Sequence, residues 1–181
     1  LSGSMDSTLR LWDMTTGQCV RTLIGHAMPI QTVAITADGR LGVSGAGREG
    51  HSDHSDDTVR VWDLTTGSCL RTMCGHSHAV TCVALTPDAR FVLSGSLDHT
   101  LKLWELDSGR AVRTFIGHAR PVVAVAVSPD GQWGLSGGGD ALMNADNTVR
   151  VWNLANGQCV RTFKGHTALV TSLALGADSC H

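Results

Sequence analysis

Tyrosine is absent from the 181 residues and phenylalanine occurs only three times, so aromatic content rests mainly on five tryptophans. Long apolar runs are also missing: none approaches the roughly 20 residues of a membrane-crossing helix, which argues against a helical membrane protein. Charge of one sign is not in excess. A formal net charge of −2 offers no long-range pull toward nucleic acid or anionic lipid, so neither is expected as a partner. Eight of the 14 basic residues recur at two repeat positions and need not gather into one stripe. No CxxC occurs among the six cysteines, and no glycine run is followed by Gly-Lys-Ser/Thr, which leaves thiol-disulfide chemistry and phosphate cradling without support. The opening residues, LSGSMDSTLR, carry no secretory signal. They begin inside a repeat, which predicts one section of a longer polypeptide.

What the chain has is one sentence said four times: TLRLWDMTTGQCVRTLIGH from Thr8, TVRVWDLTTGSCLRTMCGH from Thr58, TLKLWELDSGRAVRTFIGH from Thr100 and TVRVWNLANGQCVRTFKGH from Thr148. Tryptophan to the following histidine is always 14 residues, as in Trp62 to His76, and aspartate to tryptophan is always six, as in Asp98 to Trp104. Histidine to serine is 18 wherever both occur. Only serine to aspartate varies, being four residues for Ser2 to Asp6 and Ser94 to Asp98, 12 for Ser44 to Asp56 and ten for Ser136 to Asp146. All length variation therefore falls in one loop.

Within the fixed parts, apolar and β-branched residues alternate over about five positions between turn signals, which predicts four short strands per period and no helix. Val59 and Val61 alternate with Arg60 and Trp62, and VVAVAV from Val122 is apolar on both faces. Such sheets need cover on both sides, as stacking around an axis supplies. Cys19, Cys69 and Cys159 share one repeat position with Ala111, which predicts small buried side chains in a reduced, cytoplasmic setting. Trp133 aligns with Leu41 and Phe91 and is expected in the core.

In these motifs the chain resembles the WD-repeat (Trp-Asp) β-propeller family over essentially its whole length. The resemblance implies an all-β propeller of four-stranded antiparallel blades, with strands a to d running outwards from a central channel. It divides the chain into a partial blade 1–24, blades 25–74, 75–116 and 117–164, and a partial blade 165–181. It also implies buried tetrads: His26, Ser44, Asp56 and Trp62; His76, Ser94, Asp98 and Trp104; His118, Ser136, Asp146 and Trp152. The first blade offers only Ser2, Asp6 and Trp12, and the last only His166. Glu105 and Asn153 stand where the family name expects aspartate after tryptophan, outside the tetrads. Read alone, His, Ser and Asp suggest a hydrolytic triad, but a triad needs one exposed nucleophile beside an oxyanion hole. A set repeated beside tryptophan is better explained as buried donors and acceptors satisfying one another, and no nucleophile elbow is expected there.

Function is therefore sought in what the repeats do not share. The two long b-c loops, AGREGHSDHSD from Ala46 and GGGDALMNA from Gly137, are expected on the same face as the d-a loops. In the family that face commonly binds partners. The candidates are Met5, Gln31, Thr81, Leu97, Val123 and Thr171, with Pro29, Ala79, Pro121 and Leu169 beside them and Ser55 and Ala145 before the aspartates. His51, His54, Leu142 and Met143 join them from the long loops. His51, Asp53, His54 and Asp56 are residue types that bind transition metals, but their spacing matches no established ligand pattern, so neither metal nor cofactor is assigned.

Four 42-residue periods plus insertions of eight and six overshoot the chain by one residue. The terminal ALGADSCH aligns with AVSPDGQW from Ala126, so a last strand can complete the first blade. Three arrangements stay open: a four-bladed ring, a homodimer completing an eight-bladed ring, or a segment of a larger propeller, the last favoured because family rings usually have about seven blades. The expected function is a non-catalytic scaffold for other proteins or peptides, the alternative being a metal-dependent or enzymatic site on the long loops.

Overall fold

Alternating apolar residues bounded by Gly, Asp and Thr turns give strands of mostly five or six residues. The computed structural model describes residues 1–48, 56–139 and 146–176, and among them there are fifteen strands and no helix. They are β1 (Ser2–Gly3), β2 (Thr8–Trp12), β3 (Cys19–Ile24), β4 (Ile30–Ile35), β5 (Leu41–Ala46), β6 (Val59–Asp63), β7 (Cys69–Met73), β8 (Val80–Leu85), β9 (Phe91–Ser96), β10 (Leu101–Glu105), β11 (Ala111–Phe115), β12 (Val122–Val127), β13 (Trp133–Gly138), β14 (Val149–Asn153) and β15 (Cys159–Phe163). Neighbours in sequence pair antiparallel in four meanders: β1 to β3, β4 to β7, β8 to β11 and β12 to β15. This is the all-β architecture expected of propeller blades.

In every sheet the pairing of the last two strands slips register just before the tryptophan, at Leu11/Trp12, Val61/Trp62, Leu103/Trp104 and Val151/Trp152. A bulge adds local twist to the strand pair that carries it. Sheets pack face to face through three apolar clusters. Leu9 and Leu23 meet Trp62 and Leu64; Val59 and Met73 meet Trp104 and Leu106; Leu101 and Phe115 meet Trp152 and Leu154. Each fully buried large side chain contributes roughly 1.5–3 kcal/mol relative to exposure. Serine-glycine pairs in the second strands allow the close approach. A Cβ on Gly45 would stand 2.5 Å from Val80 Cγ1 and one on Gly95 2.6 Å from Val122 Cγ1, so the first strand of the next sheet seats where a side chain is missing.

Three local expectations need correction. Cys19, Cys69 and Cys159 are exposed, because they begin the outermost strand of each sheet, where the next sheet gives no cover. The shared position with Ala111 reflects an exposed outer edge, since Ala111 is exposed as well. Trp133 is half-buried at the end of its strand. Finally, residues 170–176 form no strand, although they align with β12, and they do not complete the first sheet, where β1 pairs with β2 alone among the described residues; without a ladder partner the segment is not a strand. Val170 is nonetheless buried, seated against Gly137.

Candidate functional site

The histidine of each set lies in the loop after an outer strand, the serine on a second strand, the aspartate in the turn that follows and the tryptophan on the third strand. Antiparallel folding returns the loop before the first strand and the turn after the second to the same end of a sheet. Backbone bonds hold them together there, with Leu97 N donating to Ala79 O at 3.0 Å and Gly47 N to Pro29 O at 3.1 Å.

Across that junction run three hydrogen-bonded sets. His26 Nδ1 donates to Asp56 Oδ2 at 2.7 Å, and its Nε2 lies 2.7 Å from Ser44 Oγ, which also accepts from Trp62 Nε1 at 2.8 Å. His76 stands 2.7 Å from Asp98 and 2.8 Å from Ser94, with Trp104 donating to Ser94 at 2.8 Å. His118 stands 3.0 Å from Asp146 and 2.7 Å from Ser136, and Trp152 donates to Ser136 at 2.7 Å. A carboxylate only accepts, so each Nδ1 carries the proton, and in the neutral ring Nε2 then accepts from the serine hydroxyl. Ser2 accepts from Trp12 Nε1 at 2.8 Å, while Asp6 binds the N–H of Thr8 at 2.9 Å.

The aspartates remain ionised despite their burial. Burial alone would raise the Asp56 carboxyl, but hydrogen bonds from His26, Thr58 and Ala27 N–H outweigh it and hold the group at about 2. The same balance, with His76 and Thr100 as donors, keeps Asp98 low, and Thr148 and Ala119 do so for Asp146. Arg60 and Arg150 add positive charge 3.6 and 3.4 Å from Asp56 and Asp146. Burial lowers His118, outweighing the pull of Asp146, so its neutral form is favoured.

Aspartate, histidine and serine in hydrogen-bonded sequence have the connectivity of a catalytic triad. Yet Ser44, Ser94 and Ser136 have no solvent exposure, and an indole N–H occupies each oxygen. No acyl group can approach such a nucleophile. Gly134, Ser136 and Gly138 do spell GxSxG, but they lie within β13 rather than on a strand-to-helix elbow.

Of the expected partner-facing residues, Met5, Gln31 and Thr171 are exposed, and Thr81, Leu97 and Val123 are half-buried. Gln31 donates to Gly47 O at 2.9 Å, and the Thr81 hydroxyl is turned inwards to Val122 O at 2.5 Å. His51, His54, Leu142 and Met143 lie outside the described residues, as do Asp53, Ser55 and Ala145. Among the described residues no group of three or more His, Cys, Asp or Glu can hold a metal ion.

Sequence reasoning missed the interface role of the outer-strand arginines. Arg21 donates to Thr65 O at 2.7 Å and Thr66 O at 3.2 Å in the next sheet's turn. Arg71 donates to Asp107 O at 3.1 Å, and Arg113 to Ala155 O at 2.6 Å and Asn156 O at 3.1 Å. Their fixed place in every repeat was the available signal.

Comparison with known proteins bears on the same repeats. The family described as WD domain, G-beta repeat, matches residues 1–13, 17–63, 67–105, 109–153 and 157–181. The chain belongs to the WD-repeat family. Curated relatives of this WD-repeat chain include the nuclear distribution protein PAC1 of Coccidioides posadasii (strain C735), 48% identical over 44 residues, or 24% of this chain and 9% of that protein. Nuclear distribution protein PAC1-2 of Uncinocarpus reesii (strain UAMH 1704) is 49% identical over 41 residues, 23% of this chain and 9% of that protein. The similarity thus spans about a tenth of those relatives' length.

Proposed function

We propose that this WD-repeat chain is a non-catalytic scaffold that docks other proteins or peptides on the face formed by its d-a loops and b-c turns. The observation that supports this most directly is the burial of the three His-Ser-Asp-Trp sets. The residues most able to do chemistry are consumed in tying each sheet together, while Met5 and Gln31 remain exposed at the same end. In this reading the tetrads are structural, the blades divide as 25–74, 75–116 and 117–164 with partial blades at either side, and Met5, Gln31, Thr81, Leu97, Val123 and Thr171 contact the partner together with His51, His54, Leu142 and Met143. A protein or peptide partner, without nucleic acid or membrane, agrees with the net charge of −2. A cytoplasmic setting agrees with five free thiols among the described residues. Pairing of two chains into one eight-bladed ring belongs to the same reading.

Affinity capture with the intact protein, repeated with both long b-c loops shortened to the four-residue serine-to-aspartate spacing, tests the loop face. Loss of the captured proteins without loss of folding is the expected result. Unchanged capture would reject this face as the docking surface.

A further inference from the structure

The end of the sheets opposite the loop face carries a cleft that docking on the loops does not use. It lies between the sheet of β8 to β11 and the sheet of β12 to β15, each of four strands, and has a volume of about 580 Å3. That is within the roughly 300–1,000 Å3 of small-molecule pockets. Its base is apolar: Leu103 and Leu154 are buried, and Phe91 and Val112 border them.

Register sets one carboxylate and one guanidinium side by side over that base. Phe91 pairs with Glu105 and Leu103 with Arg113, while Leu103 and Glu105, two residues apart on β10, share a face. Glu105 and Arg113 are thus diagonal neighbours, with Cβ atoms ~7–8 Å apart. Neither belongs to an ion pair among the described residues. Asp13 and Asp63, which hold the position of Glu105 in two other repeats, turn Oδ1 back onto their own turns, as Asp63 does to Thr65 N and Thr66 N at 2.8 and 3.1 Å. Asn153 does the same with Ala155 and Asn156. Glu105, one methylene longer, instead accepts the Ser108 hydroxyl on Oε2 at 2.6 Å, which leaves Oε1 to a ligand. Of the five N–H groups of Arg113, two bond the carbonyls of Ala155 and Asn156. Those acceptors are neutral, so the charge stays uncancelled and three donors remain.

We propose that this cleft binds a free apolar α-amino acid, its ammonium at Glu105, its carboxylate at Arg113 and its side chain on Phe91, Leu103 and Leu154. A simple amine would meet the guanidinium as a like charge, and a simple acid would meet the carboxylate. A zwitterion answers both, and an α-amino acid carries its two charges on adjacent groups at one end of an apolar body, as the cleft carries its own beside an apolar base. Glu105 confines the site to this junction, because the aspartates at the same place in other repeats spend their carboxylates on their own turns. The cleft and the loop face lie at opposite ends of the sheets, so neither reading depends on the other.

Methyl-resolved NMR of the intact chain, titrated with L-leucine, with 3-methylbutylamine and with 4-methylpentanoate, tests this. The two analogues keep the side chain and lack the carboxylate or the ammonium. Arg113 also ties the sheets together, so its part is tested on the ligand; that of Glu105 is tested by Glu105→Gln and Glu105→Asp. Aspartate is the residue of two other repeats, so Glu105→Asp keeps the fold and the charge but turns the carboxylate onto the N–H groups of Asp107 and Ser108. L-leucine should shift the methyl signals of Leu103, Val112 and Leu154 saturably. Both analogues should bind at least about tenfold more weakly, and L-leucine should lose at least about tenfold on each variant. No shift up to about 10 mM, shifts confined to other methyl groups, either analogue binding as well as L-leucine, or either variant binding as the parent does would overturn the proposal.

Discussion

The indole N–H of Trp104 donates to Ser94 Oγ at 2.8 Å, and the same hydroxyl lies 2.8 Å from His76 Nε2. Each group in this line is used by its neighbour, and Asp98 closes it by accepting from His76 Nδ1, Ser77 N–H and Thr100. The line joins the loop before β8 to β9, the following turn and β10, so it fixes the end of the sheet on which the proposed docking face is built.

Replacing Asp98 with alanine leaves His76 Nδ1 and the Ser77 N–H without their acceptor. A broken buried network of this kind costs about 1–3 kcal/mol, which for a chain of this size lowers Tm by about 2–4 °C per kcal/mol. Urea unfolding of Asp98→Ala should show the loss, and an unchanged midpoint would mean that the network contributes nothing net.

Acid should destabilise the protein over two pH ranges. Asp56 titrates at about 2 against an ordinary 3.8. Between those values the unfolded chain binds more protons, so stability falls as pH drops from about 4 toward 2. His118 is held below its ordinary 6.5, first by burial. There too the unfolded chain takes its proton earlier, so stability begins to fall as pH passes down through about 6.5. Urea midpoints at about pH 7.5, 5 and 3 should decrease in that order; a flat or rising series contradicts the assignment.

How far the sequence reached depends on whether a feature is local or comes from stacking. Val59 and Val61 announce a strand because apolar residues two apart share a face, and the spacing of 18 from His76 to Ser94 is fixed wherever the set occurs. The exposure of Cys69 was not legible: tolerance of alanine suits a tight core and an exposed edge equally, and only the strand's outer place decides. The reach of Arg113 to Ala155, 42 residues away, was likewise hidden, since it depends on how one sheet sits on the next.

The arginine contacts should couple neighbouring sheets. Arg113→Ala removes two charge-assisted bonds to carbonyl oxygens at a half-buried site, at a cost of about 1–2 kcal/mol. Arg113→Lys should recover less than half of it, because a single ammonium cannot span the Ala155 and Asn156 carbonyls as the planar fork does. Arg110→Ala, at an exposed position in the preceding turn, should stay within about 0.5 kcal/mol of the parent in the same denaturation series. Equal effects at the two positions would reduce the Arg113 bonds to surface decoration.

Thiol reactivity should separate the cysteines by their place in the sheet. Cys82 lies in the first strand of its sheet, and burial pushes its thiol up to about 12, outweighing the hydrogen bond with Thr81. The reactive thiolate is therefore both scarce and shielded. Cys19, Cys69 and Cys159 are exposed, each donating weakly to a carbonyl two residues on, as Cys69 does to Arg71 O at 3.3 Å. Alkylation of the folded protein at about pH 8, mapped by peptide mass spectrometry, should label these three and Cys74 at least about a hundredfold faster than Cys82, whose reaction must await opening of the sheet. Labelling of Cys82 at the rate of Cys69 would mean that β8 opens freely in the folded state, which its buried neighbours Val80 and Leu93 argue against.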